Sequence, residues 1–195
     1  MLTLLNQLDT ELFLFLNGLH VPWLDPVMWF LSLTKVWIPL YLLLAGWVIY
    51  RYRRLSWVVL LAIGLTIVLS DRISSGVIKP AVCRLRPSHD PVLRDKVHIV
   101  NDYRGGRYGF VSSHAANTFA LAMLMSLLVR KRKWIILFFV WALVVSYSRI
   151  YLGVHYPGDI LGGAVLGILC AYIVYRGMQY LPRACKPTFG VKSKT

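Results

Sequence analysis

Apolar residues in this chain gather in long runs, unlike the strict alternation of a half-buried strand or the single stripe of a soluble surface helix. Five runs approach or reach the ~20 residues that cross a hydrocarbon core of about 30 Å. They extend from about Val27 to Tyr50, Leu55 to Ile78, Ser113 to Val129, Trp134 to Tyr151 and Ile160 to Tyr175. Residues 2–19 differ: Leu5, Leu8, Leu12, Phe15, Leu16 and Leu19 recur at helical spacing, interleaved with Asn6, Gln7, Asp9, Thr10 and Glu11. That mixture predicts a helix lying in the membrane interface, with a sixth span as the alternative. The expected fold is an all-α integral membrane bundle of five to six transmembrane helices. It forms one domain over 1–195, with an interfacial segment at 1–24, an outer loop at 79–112 and a cytoplasmic tail at 179–195.

Composition supports that reading. Of 195 residues, 57% are hydrophobic and 15% charged, and the mean hydropathy is +0.60, which argues against a lone soluble domain and excludes a disordered chain. Asp9 and Glu11 interrupt the first apolar stretch and no basic segment precedes it, which argues against a cleaved signal peptide. Three cysteines, Cys83, Cys170 and Cys185, form neither a disulfide framework nor a metal-ligand spacing.

The net charge of +14 raises the question of where the excess sits. Twelve of the 22 Lys and Arg fall in Arg51 to Arg54, in Arg130 to Lys133 and from Arg176 onward, where no acid occurs. Basic residues accumulate on the cytoplasmic side of short loops, which orients the chain. The other ten lie on the opposite side together with all eight Asp and Glu, leaving that side near balance. No single basic face exists, so nucleic acid is not an expected partner. No obligate protein partner is implied either.

The same topology brings Lys79, Arg86, His114, Arg149, His155 and Asp159 to the outer ends of four spans. Charged side chains at membrane depth are costly, so such a group calls for a polar cavity; isolated, each would be read as an anchor. Together they suit phosphate. Guanidinium forks bind its oxygens in pairs and an ammonium adds a point charge. Ser112 and Ser113 open a helix whose free amides face an anion, and one of the two serves as its N-cap. Of two histidines, one can attack phosphorus while the other protonates the departing oxygen. Asp159, four residues after His155 across a Tyr-Pro-Gly turn, can hold one ring nitrogen and leave the other free. His20, His89 and His98 read as ordinary loop or interface residues.

Lys79, six residues and Arg86-Pro87; then Val111-Ser112-Ser113-His114; then Ser148-Arg149, five residues, His155, three residues and Asp159: this order resembles the three-part signature of the type 2 phosphatidic acid phosphatase superfamily of membrane lipid phosphatases. The resemblance covers roughly residues 55–175. It implies metal-independent chemistry without a cofactor. His155 would be the nucleophile that forms a phosphohistidine, Asp159 its partner and His114 the acid, serving later as the base for water. Lys79, Arg86, Ser112, Ser113 and Arg149 would bind the phosphate. Val111 and Ser113 stand where the family usually has Pro and Gly, and Ser113 adds a hydroxyl donor.

The implied protein is a compact bacterial inner-membrane lipid phosphatase with its site facing the periplasm or exterior, where a phospholipid-type substrate enters sideways between helices. Lipid A phosphate, with the 4'-phosphate as the specific candidate, leads the substrates, ahead of undecaprenyl diphosphate and phosphatidylglycerol phosphate. The outer loop favours that order if Arg84, Arg94, Lys96, Arg104 and Arg107 clamp a multi-anionic head group beneath a turn-rich lid at 101–106; a solvated linker weighs nearly as much. Two other classes remain open: a phosphotransferase using the same histidine, and a non-catalytic transporter or lipid-phosphate binder.

Overall fold

A computed structural model describes residues 2–182, 185 and 187. Most of the basic tail, including Arg183, Lys186, Lys192 and Lys194, lies outside the described residues. Among the described residues the fold is helical, with one isolated antiparallel bridge, Leu85 to Tyr108.

The described residues form, in order, α1 (Leu2–Gly18), α2 (Asp25–Ser32), α3 (Ile38–Tyr52), α4 (Ser56–Asp71), α5 (Lys79–Val82), α6 (Ser113–Val129), α7 (Arg132–Tyr151) and α8 (Pro157–Gln179). The first expected span, Val27 to Tyr50, is not one helix. It divides into α2 and α3 around an extended Leu33 and a tight turn at Thr34–Trp37. Pro39 explains the division, because its ring would collide with the carbonyl four residues earlier and it has no N–H to donate. The second span continues past α4 through a π-helical stretch, Arg72–Ile78, into α5. The outer loop therefore starts at Cys83, whose left-handed backbone (φ 52°) ends the helix, and not at Lys79. The third span matches α6, while α7 and α8 exceed the expected bounds by a few residues.

Among the described residues, three apolar helical stretches are long enough to cross a membrane: Thr34–Val82, Arg132–Tyr151 and Pro157–Gln179. The first is broken at Arg53 (φ 47°), where the chain turns so that α3 and α4 pack together. The shorter α6 lies at the centre, in contact with α4, α7 and α8, and most of its residues are buried. Its bed is α8, where Gly163 and Gly167 let the helices approach: a Cβ on Gly163 would lie 2.5 Å from the Ser112 carbonyl oxygen, and one on Gly167 would overlap the Ala116 carbonyl. Around this core, Leu42, Leu43, Leu61, Leu65, Val140, Leu143, Leu161, Val165 and Leu169 face outward as an apolar belt suited to lipid.

The N-terminal helix shows two faces. Leu5, Leu8, Leu12, Phe15 and Leu19 are about half exposed, whereas Asp9, Phe13 and Asn17, at i, i+4 and i+8, point into the protein. Asn17 Nδ2 donates to the carbonyls of His98, Ile150 and Tyr151, and Asn17 Oδ1 accepts the His98 N–H at 2.8 Å. One side chain thus ties α1 to the outer loop and to the end of α7. His98 also stacks on His20 at 3.8 Å and meets Asp25 Oδ1 at 3.0 Å, a carboxylate that accepts the Tyr151 hydroxyl at 2.6 Å. These histidines are interface residues.

Candidate active site

A turn builds the centre. Gly153 (φ 72°) ends α7, and Pro157 opens α8 with its ring in place of an N–H that would have no helical partner. Asp159 is the third residue of α8, so its carboxylate reaches back: Oδ2 accepts the Tyr156 N–H at 3.1 Å and meets His155 Nδ1 at 3.2 Å. One carboxylate both caps the helix and orients the imidazole. His155 is 1% exposed and Asp159 fully buried. With Nδ1 on the carboxylate, Nε2 is left for chemistry.

Burial, together with the charges of Arg86, Arg149 and Lys79, holds the His155 pKa well below its ordinary value. The imidazole is therefore neutral at pH 7, the form that can attack. All three cations are those expected from the sequence. Arg86 Nε donates to the Tyr108 carbonyl at 3.1 Å, its Nη1 is buried without a partner among the described residues, and burial and the nearby Arg149 charge lower its pKa. Arg149 is 2% exposed; it donates to the Ser32 hydroxyl and, at 3.2 Å, to the Tyr103 hydroxyl, and its Nε has no partner among the described residues. Buried guanidinium N–H groups left over in this way fit an anion's oxygens.

Lys79 Nζ donates to Ser113 Oγ at 2.6 Å, and Ser74 Oγ lies 3.0 Å from the same oxygen. Ser112 is the N-cap of α6: its Oγ accepts the Ala115 N–H, and its own N–H is taken by the Asp159 carbonyl. Its neighbours Ser113 and His114 carry first-turn amides that no helical carbonyl satisfies. His114 is half-buried on the wall of a cavity of about 210 Å³ with Asp71, Asn117, Thr118, Ser32 and Tyr41. Among the described residues no group of three or more His, Cys, Asp or Glu is arranged to hold a metal.

The outer loop departs from expectation. Arg84 does not point at a head group: its Nη1 meets Asp159 Oδ1 at 3.0 Å, its Nη2 meets Asp9 Oδ2 at 2.7 Å, and its guanidinium lies over the Tyr156 ring. Two carboxylates outcompete solvent for it. Arg104 is held by the Ser88 carbonyl, and Arg94 pairs with Asp95 at the surface. Nor is the loop a solvated linker, since Leu93 and Val100 are buried and the Leu85–Tyr108 bridge closes it. Asp9, Tyr103 and Ser32 were not foreseen in the site.

The PAP2 superfamily model matches residues 55–183. A lipid A 4'-phosphatase of Bacteroides thetaiotaomicron is 41% identical over 181 residues, covering 90% of this chain and 79% of that protein. A lipid A 4'-phosphatase of Porphyromonas gingivalis is 34% identical, covering 89% and 74%. Among solved structures, the transmembrane PAP2-type phosphatidylglycerolphosphate phosphatase of Bacillus subtilis superposes with a TM-score of 0.68 at 26% identity, covering 92% of this chain and 88% of that one. The matched segment contains all three motifs and the buried histidine they surround, and the chain belongs to the PAP2 superfamily.

Proposed function

We propose that the chain is a bacterial inner-membrane lipid phosphatase acting on the outer leaflet, that lipid A is its substrate and that the 4'-phosphate is removed. The enzyme is a hydrolase of phosphoric esters. The substrate assignment is carried by the 41% identity to the Bacteroides lipid A 4'-phosphatase across 90% of this chain. Orientation is inferred from the basic loops at the opposite end of the helices.

In this reading Lys79, Arg86 and Arg149 neutralise the phosphate, with Ser113 and the first-turn amides of α6 as further donors and Ser112 fixing that turn. His155 Nε2 attacks phosphorus, and an N–P bond forms as the P–O bond to the lipid breaks. The electron pair leaves on the lipid oxygen, which takes a proton from His114. Asp159 stabilises the positive charge that develops on the imidazole. Water then attacks the phosphohistidine while His114 accepts its proton, and inorganic phosphate departs.

The test is phosphate release by purified wild type and His155→Ala with EDTA present, on lipid A, undecaprenyl diphosphate and phosphatidylglycerol phosphate. Release from lipid A by wild type alone is the expected result, with the variant slower by several orders of magnitude. Activity retained in folded His155→Ala would sink the mechanism. Preference for either other lipid would replace the substrate, and phosphate recovered on an acceptor lipid would make the enzyme a phosphotransferase.

A further inference from the structure

From the geometry we infer that Asp9, on the N-terminal helix and outside the segment matched by the family model, is a positioning residue of the catalytic centre, acting through Arg84 on Asp159 and His155. The inference rests on His155 being the nucleophile. Four side chains stand in line: Asp9 Oδ2 to Arg84 Nη2 at 2.7 Å, Arg84 Nη1 to Asp159 Oδ1 at 3.0 Å, and Asp159 Oδ2 to His155 Nδ1 at 3.2 Å. Asp9 uses its other oxygen to accept the Gly158 N–H at 2.7 Å, in the first turn of the helix that carries Asp159. Its neighbour one turn along, Phe13, packs edge-on against Tyr156. Both contacts converge on the turn that aims the imidazole.

Charge gives the line its purpose. An imidazole that attacks phosphorus becomes cationic, and Asp159 stabilises it only to the extent that its own charge is not cancelled. Arg84 by itself would cancel it. Asp9 draws the other arm of that guanidinium, so the three groups keep one net negative charge directed at His155. The side chains of Asp9 and Arg84 are only 14% and 21% exposed, so water screens these charges weakly. Neither residue is among the expected phosphate ligands, so the effect falls on the chemical step and is separate from substrate binding.

The experiment compares wild type, Asp9→Asn, Asp9→Glu and Arg84→Gln for phosphate release from lipid A in detergent, with melting temperatures recorded alongside. Asp9→Asn should lower kcat about ten- to a hundredfold, the range typical of partners that orient a functional histidine, with KM within about twofold. Asp9→Glu should recover a large part of the loss, because it keeps the charge. Adding Asp9→Asn to Arg84→Gln should cost little more than Arg84→Gln alone. Wild-type kcat in folded Asp9→Asn overturns the inference, as does a loss in KM alone, or a fall in melting temperature with kcat per folded enzyme unchanged. A wild type that releases no phosphate, or a His155→Ala variant that does, defeats the underlying reading instead.

Discussion

At the scale of single residues, the hydroxyl of Ser113 has a specific task. It holds the Lys79 ammonium at 2.6 Å at a helix start where the family usually has glycine. A hydrogen bond to a charged donor contributes about 1.5 kcal/mol, and losing it lets the lysine sample other rotamers. Ser113→Gly should therefore lower kcat/KM about tenfold on lipid A, mostly through KM, while Ser112→Gly should act on stability through the lost cap. Steady-state kinetics beside melting curves separate the two. His155 supports a pH prediction of known sign. Its folded pKa lies well below the unfolded value of 6.5, so the native state refuses a proton that the unfolded chain accepts. The stability it preserves is complete above about pH 6.5 and is lost as pH falls below that value. Solubilised wild type should lose melting temperature between pH 6.5 and 5 more steeply than His155→Gln, and equal slopes would contradict the buried neutral imidazole.

At the scale of elements, close helix approach makes one glycine critical and another dispensable. A side chain on Gly167 meets the backbone of α6, which cannot turn aside, whereas the space around Gly177 is open. Gly167→Val should destabilise the bundle by about 2–3 kcal/mol, in the range of overpacked cores, and Gly177→Ala should be neutral or stabilising by up to about 1 kcal/mol. Thermal unfolding of both in one detergent checks the contrast. Such pairings show what the sequence made legible. Long apolar runs exposed the helices, because a bilayer imposes length and hydropathy on any span. The three motifs pointed to Lys79, Arg86, His114, Arg149, His155 and Asp159 as candidates because the family signature is a matter of residue type and spacing, both of which are local to the chain. Partners such as Asp9 and Tyr103 stayed hidden, since hydrogen bonds between residues 75 or 46 positions apart leave no local pattern. The π-helical stretch at Arg72–Ile78 was equally invisible. An inserted residue rotates the helix beyond it by about 100°, which bears directly on how Lys79 faces Ser113, but no composition marks it.

For the whole molecule the open question is which end faces out, and the chain's own cysteines answer it. Cys83 is exposed and ends α5 at the level of Lys79, on the side of the candidate catalytic residues. Cys185 comes after α8, at the opposite end of that helix from His155 and Asp159. Cys170 is buried and serves as an internal control. If the basic loops lie in the cytoplasm, Cys83 and the histidine pair share the outer side, and the lipid phosphate is reached without crossing the membrane. Variants retaining one cysteine each, treated in intact spheroplasts with a membrane-impermeant maleimide, should label at Cys83 at once and at Cys185 only after permeabilisation, with Cys170 unlabelled until the protein is unfolded. Immediate labelling of Cys185 with protection of Cys83 would reverse the orientation and place the site on the cytoplasmic leaflet. The head group available to His155 would then be one still awaiting export, and the substrate would have to be sought among lipids on that face.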